Sequence, residues 1–462
     1  MIESVQELEV SNVRRFKPYP AYKPTGMEWL GDVPEHWDVR RLKFVGDAII
    51  GLTYDPSDLA DEVDGVLVLR ASNVTGGRII REDNVFVNRK IQPRLITRIG
   101  DILICSRSGS RALIGKNAKI DRDSAGLTFG TFMTVFRSNC NDYLFYVFNS
   151  SLFEYQSGVF LTSTINQLTV ANLYSFEVPT PPPDEQAIIV RFLEQQLASI
   201  DRLIDKKRAL IGRLKEKRSA VISRTVTHGL PPDAARVAGL NPQPPMKPSG
   251  IDWVGEVPAH WKEMMLKRAW STCDYGISDA LAGDGTIKVL TMGNVQDGEV
   301  HLPENGALDE VEENMLLTDG DLLFNRTNSL AHVGKVGICR GIAHERVTFA
   351  SYLVRIRTNH RALPPFLNFL LNTPQQLTFL RCLALPSINQ ANLNPTRYGQ
   401  IRVFLPPTQE QQVIVDFLDE QSAKINDMVR SVQVAIGQLE EYRAALISAA
   451  VTGKIDVRGA TA

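Results

Sequence analysis

The sequence predicts an α+β protein: two globular α/β-mixed units separated by two long antiparallel coiled-coil helices, the whole a pseudo-two-fold internal duplication. Three observations predict it. A fifteen-residue stretch occurs twice, a heptad-patterned helix closes each half, and 462 residues suit two or more domains better than one.

Taken in order, an irregular leader ends at Pro18-Tyr19-Pro20 and opens onto Lys23-Pro-Thr-Gly-Met-Glu-Trp-Leu-Gly-Asp-Val-Pro-Glu-His-Trp37. The stretch returns as Lys247-Pro-Ser-Gly-Ile-Asp-Trp-Val-Gly-Glu-Val-Pro-Ala-His-Trp261, with nine of fifteen positions identical. Such self-similarity is a duplication signal. Further anchors recur. Val68-Leu69 before Asn73-Val74 matches Val289-Leu290 before Asn294-Val295, each a short strand and turn. Gly100-Asp101 through Arg107 aligns with Gly320-Asp321 through Arg326, in each copy an apolar strand ending at an arginine. Gly115-Lys116 matches Gly334-Lys335, Thr128-Phe129 matches Thr348-Phe349, and Ile165-Asn166-Gln167 matches Ile388-Asn389-Gln390.

After the prolines at 179 and 181–183, apolar residues at Leu193, Leu197, Ile200, Ile204, Ile211, Leu214 and Val221 recur with heptad spacing, broken at Lys207 and Arg218. This predicts one long helix with a coiled-coil seam from Asp184 to His228, ended by Gly229 and Pro231-Pro232. The second copy, Gln409 to Thr452, holds Leu418, Ile425, Val432, Leu439 and Leu446 at one heptad position, with Met428, Val429, Ile436 and Tyr442 beside them. Both helices begin alike, at Pro183-Asp184-Glu185-Gln186 and Thr408-Gln409-Glu410-Gln411. The expected organisation is a globular unit over 1–180, a spacer helix over 181–229, a second unit over 230–406, a second spacer helix over 407–455 and a tail over 456–462.

Composition excludes several classes. Hydrophobic residues at 44% and charged residues at 22% are those of a soluble globular protein. No apolar run reaches about 18 residues, and Met1-Ile2-Glu3-Ser4 lacks a signal pattern. The five cysteines (105, 140, 273, 339 and 382) never take C-x-x-C spacing, which argues against zinc and a disulfide framework and predicts a reducing cytoplasm. The net charge is −1, but it is unevenly spread. Residues 66–122 hold twelve Lys or Arg against four acids, a local +8, whereas 287–343 stand at −5. An excess like the first can track phosphates.

No phosphate loop is present, since Gly115-Lys116, Gly334-Lys335 and Gly453-Lys454 lack the following Ser or Thr. No glycine-rich turn supports a dinucleotide or adenosyl-methionine site, and Asn241-Pro242 and Asn394-Pro395 do not continue as an amino-methyltransferase tetrapeptide. The histidines show no metal-ligand spacing; His36 and His260 are expected to pack and hydrogen-bond beside Trp37 and Trp261. No catalytic constellation and no metal site are expected.

The duplicated Lys-Pro-x-Gly…Pro-x-His-Trp leaders, the Pro-Pro-x-x-Glu-Gln before a long helix and the ending Leu446-Ile-Ser-Ala-Ala-Val-Thr-Gly-Lys-Ile-Asp456 resemble the specificity (HsdS) subunit of type I restriction–modification systems, over nearly the whole chain. The resemblance implies a non-catalytic DNA reader. Each of two target-recognition domains would bind half of a bipartite, asymmetric double-stranded site, and the helices would set the gap and dock partners. Those partners would be two methyltransferase subunits, using S-adenosyl-methionine to methylate adenine N6, and restriction/translocase subunits using ATP and Mg; no cofactor would be bound by this chain and no membrane would be involved. The competing readings are a coiled-coil adaptor whose ends bind proteins and an enzyme that acts on DNA itself.

Within that reading, Arg107 and Arg326 at strand ends suit guanine or phosphate, against the alternative that each pairs with a carboxylate such as Asp101 or Asp321. The adjoining polar runs add Ser108, Ser110, Asn325 and Asn328. Asn73 and Asn294 in the matching turns, the loop residues Thr164, Asn166, Gln167, Asn389 and Gln390, and Lys116 and Lys335 as phosphate contacts complete the candidates.

Overall fold

A computed structural model describes residues 16–160, 166–278, 285–387 and 390–459. The chain divides into two compact units, one of residues 1–207 with 433–462 and the other of 208–432.

In unit 1 the leader forms a small antiparallel pair, Tyr22–Pro24 with Asp32–Pro34. Behind it lies a four-stranded antiparallel sheet in the order Asn117–Lys119, Ile102–Cys105, Met133–Arg137, Asp47–Ile50. The second strand is buried throughout, as its unbroken Ile-Leu-Ile-Cys run requires. A second sheet pairs Val66–Leu69 in parallel with Thr128–Phe129. Unit 2 repeats the frame. Val336–Ile338, Leu322–Asn325, Leu353–Thr358 and Trp270–Tyr275 follow one another in the same order, and Lys288–Leu290 runs parallel to Val347–Phe349. Matching hairpins turn through two residues with positive φ, Gly76-Gly77 in unit 1 and Asp297-Gly298 in unit 2, the geometry that closes a tight hairpin. Unit 2 meets the need with an aspartate, which tolerates that region better than most side chains.

The long helices span Pro183–His228 (46 residues) and Thr408–Val451 (44 residues). In unit 1 Ile189, Phe192, Leu193, Leu197, Ile200 and Ile204 share one core with Leu446, Ile447, Ala450 and Val451 of the second helix. Arg443 Nε bonds Asp201 at 3.1 Å while Tyr143 Oη, beside the start of the first helix, donates to the Val451 carbonyl at 3.0 Å, so the two helices run antiparallel there. In unit 2 Val226 packs with Ile414, Val415 and Leu418, and Arg218 donates to Asn426 at 2.9 Å. Ile425 is buried as well, whereas Ile211, Leu214, Val432 and Leu439 are half-buried. Met428, expected beside the seam, is 45% exposed. Two helices alone cover only one side of a seam residue; the remainder is covered where a globular core adjoins.

The repeated motifs meet at the helix starts. Glu185, in the first turn, is buried; its Oε1 accepts from Tyr19 Oη at 2.6 Å and Trp37 Nε1 at 3.2 Å, and its Oε2 lies 2.7 Å from His36 Nε2. Glu410 repeats this with Trp261 Nε1 at 3.0 Å and His260 Nε2 at 2.7 Å. A carboxylate also suits a helix N-terminus electrostatically. The following glutamines close the lead-in loops, Gln186 donating to the Pro181 carbonyl at 2.8 Å and Gln411 to that of Pro406 at 2.9 Å.

Candidate nucleic-acid interface

In unit 1 the buried strand Ile102–Cys105 leads through buried Ser106 to exposed Arg107. Both amides donate to the Phe132 carbonyl, at 3.0 and 3.1 Å, and the Ser106 hydroxyl does so at 3.0 Å. On the other side Leu168 N donates to Ser106 O at 2.7 Å, and Arg107 pairs antiparallel with Gln167. The strand end is therefore held along both edges. Around it opens a concavity of about 1110 Å³, to which Arg107, Ser108, Asn166 and Gln167 contribute together with Tyr54, Arg70 and Phe132. The Arg107 guanidinium carbon stands 5.2 Å above the Phe132 ring, itself 53% exposed. Asp101 is engaged by Arg137 at 2.6 Å, so among the described residues Arg107 has no carboxylate partner. Arg70 differs, being tied to Asp83 at 2.7 Å. Asn166 Nδ2 and Ser108 Oγ brace the 106–110 loop, bonding Gly109 O at 3.3 Å and Ser110 N at 3.2 Å. Ser110 is exposed beside the concavity, Lys116 is half-buried away from its lining, and Thr164 lies outside the described residues.

One candidate needs correction, and two more are held by neighbouring groups. Asn73 is fully buried: its Oδ1 accepts from Arg70 N at 2.9 Å and its Nδ2 donates to the carbonyls of Ile80 and Glu82 at 3.2 and 3.0 Å. Asn294 spends its amide likewise on Thr291 N, Thr291 Oγ1 and His301 O, at 2.8 to 3.0 Å. Asn325, 1% exposed, donates to Met292 O at 3.4 Å and accepts from Asn328 Nδ2 at 3.3 Å. Asn73, with both amide hydrogens and its oxygen engaged in a buried turn, is not free to read a base edge. Asn294 and Asn325 each donate one of two amide hydrogens, so they are held by the fold without being saturated.

The match of Arg107 to Arg326 also needs correction. Arg326 N and Thr327 N donate to Tyr352 O, and Leu393 N donates to Arg326 O. Arg326 thus occupies the place of Ser106, and Thr327 that of Arg107. In extended chain a slip of one residue reverses the face. Arg326 is accordingly half-buried, its guanidinium 5.1 Å over Tyr275, with Nε buried and unbonded and Nη1 3.4 Å from Ser351 O. By the same pairing Gln167 corresponds to Asn392, which pairs with Thr327, and not to Gln390. Asp321 is held by Arg357 at 2.7 Å. Asn328 and Lys335 line a smaller concavity of about 350 Å³ with Gln296 and His332. Gln390 is exposed at the start of the strand Gln390–Asn392, and Asn389 lies outside the described residues.

A family model described as the type I restriction modification DNA specificity domain matches residues 34–213 and 271–431. The chain belongs to this family. Among its relatives, the EcoKI specificity subunit of Escherichia coli K12 is 24% identical over 445 residues, covering 92% of this chain and 90% of that one. The StySPI specificity subunit of Salmonella potsdam is 24% identical over 443 residues with the same coverage. A chain from a structural study of assembly and conformational transition in the type I R-M system matches at a TM-score of 0.59, 16% identity, and 91% and 98% coverage, a likeness of fold.

For a type I specificity protein, charge bears on how DNA is held. The basic excess over 66–122 is smaller than the sequence count, because acids outside that window answer it. Arg89 pairs with Asp58 at 3.0 Å and Lys119 with Asp142. The specificity chain shows no group of metal-ligating side chains among the described residues. Its Cys105 and Cys339 thiols are pushed up by burial, the latter to about 12, which keeps them from acting as nucleophiles near neutrality. Sequence reasoning missed Phe132 and Tyr352. Each stands four residues after the threonine of a matched Thr-Phe anchor, so an aromatic recurring at one offset was a usable signal.

Proposed function

We propose that this chain is the sequence-reading subunit of a type I restriction–modification complex, each globular unit binding one half of a bipartite, asymmetric double-stranded DNA site. The observation that carries this reading is one strand-end frame, built twice with the same backbone hydrogen bonds, that offers Arg107 in unit 1 and Thr327 in unit 2. One frame with unlike side chains suits two readers of unlike half-sites. At about 1.5 Å per residue the long helices are each on the order of 65–70 Å, a suitable ruler between half-sites. In this reading residues 1–180 and 230–406 are the target-recognition domains. The helices also dock two methyltransferase subunits, which use S-adenosyl-methionine to methylate adenine N6, and the complex recruits ATP- and Mg-dependent restriction subunits. This chain catalyses nothing itself, binds no cofactor and works in the cytoplasm.

The test is methylation mapping. The chain is co-expressed with its methyltransferase subunit in an unmethylated host, and modified adenines are located by sequencing. The expected result is one non-palindromic motif in two parts, of which one part changes when residues 1–180 are exchanged. A stable complex that neither methylates nor binds DNA would overturn the reading in favour of a protein adaptor.

A further inference from the structure

Phosphate geometry is shared by every half-site, so a residue needed only to grip the backbone should recur at the matching place in both units. Arg107 does not recur: Thr327 stands in its position. The aromatic whose carbonyl accepts the two amides of the emerging strand does recur, as Phe132 and Tyr352, both exposed (53% and 42%). The frame is common and the arginine is particular to unit 1.

Resting on the function proposed above, we infer that Arg107 reads a guanine in the half-site bound by unit 1, and that Phe132 is the positioning residue that holds its guanidinium for that contact. Three observations converge. The guanidinium lies over the ring at 5.2 Å, an attraction that favours this placement of the side chain. The backbone on either side is pinned by Phe132 O and by pairing with Gln167, so the fork stands on a rigid strand end. No carboxylate among the described residues competes for it, whereas Arg70 in the same concavity is already tied to Asp83. A flat fork with free N–H donors matches O6 and N7 of guanine, two acceptors side by side in the major groove. Thr327, with one hydroxyl in the same place, cannot make that two-pronged contact, so the half-site read by unit 2 lacks this guanine determinant.

The experiment compares methylomes of the intact complex carrying wild-type chain, Arg107→Lys, Phe132→Leu and Phe132→Tyr. Arg107→Lys keeps the charge and loses the fork. The expected result is a guanine at one position of the unit 1 half-site whose preference over other bases falls by at least about 5-fold in Arg107→Lys, the lower end for one bidentate contact. Phe132→Leu shifts the same position, Phe132→Tyr restores it, and the other half-site is unchanged. Equal loss of methylation at every site with an unaltered motif would show a phosphate anchor and overturn the inference. So would a motif unchanged in Arg107→Lys and Phe132→Leu. If Phe132→Leu does not fold, Arg107→Lys and Phe132→Tyr still decide. A wild-type complex that yields no bipartite motif would instead sink the functional reading on which this one rests.

Discussion

His36 Nε2 lies 2.7 Å from Oε2 of Glu185, and with it a residue of the repeated leader is fastened to the first turn of a long helix. The same carboxylate takes the Trp37 indole and the Tyr19 hydroxyl, and Glu410 repeats the arrangement with His260 and Trp261. The second copy lacks the phenol, since Gln243 stands at the position matching Tyr19.

Glu185→Ala should therefore destabilise unit 1 by about 2–4 kcal/mol, because it strands two buried donors. Glu410→Ala should cost less, stranding only the Trp261 indole besides the exposed His260. Urea unfolding followed by tryptophan fluorescence measures both. Equal losses in the two variants would contradict the role given to Tyr19.

Gly453 ends the second helix with φ +71, and a Cβ there would collide with the Pro34 ring. Gly100, with φ +87, has nothing within 4 Å of such a Cβ. Gly100→Ala should cost only the left-handed backbone term, about 1–2 kcal/mol. Gly453→Ala adds overpacking against the leader, for about 2–4 kcal/mol in all. Denaturation midpoints of the two variants, both in unit 1, check the order.

Asn73→Ala removes an amide that satisfies one amide N–H and two carbonyls in a buried turn, so it should lower stability by about 1–3 kcal/mol. It should leave the salt dependence of DNA binding unchanged, since the side chain is buried and bonded within its turn. A flattened salt slope in a well-folded Asn73→Ala protein would return Asn73 to the DNA-contacting set.

The Asp456 carboxyl is held below its usual range by the Arg458 guanidinium, which bonds it at 2.7 and 2.9 Å. A depressed carboxyl stabilises the folded state above its unfolded value, about 3.9, and that contribution fades as pH falls through the folded value. In acid titrations Asp456→Asn should show less loss of stability below about pH 4 than wild type, starting from a lower plateau at pH 7. Parallel curves would remove Asp456 from the acid limb.

The long helices and the duplicated α+β units were legible because their signals are repetitive: heptads, two leaders, and a Glu-Gln after each proline turn. Even the purpose of that glutamate had a trace, since Glu185 and Glu410 recur with the His-Trp pairs they bind. The reading surface was less accessible. An asparagine in a turn looks the same whether its amide faces inward, as at Asn73, or outward. Which face of an extended segment a side chain takes depends on pairing across the sheet, and the pairing of Leu168 with Ser106 and of Leu393 with Arg326 is invisible in linear order. Local charge misled for a related reason, because Asp58 and Asp142 answer basic residues far from them in sequence.

Unit 2 is one uninterrupted stretch, 208–432, whereas the core of unit 1 needs Leu446, Ile447, Val451, Ile455 and Val457, and Asp456 N bonds Lys17 O at 2.8 Å. On the ribosome the order of maturation is therefore reversed. The half translated first must wait with an open core while the half translated second completes itself, and the nascent N-terminal half is the part most in need of shelter from aggregation during synthesis.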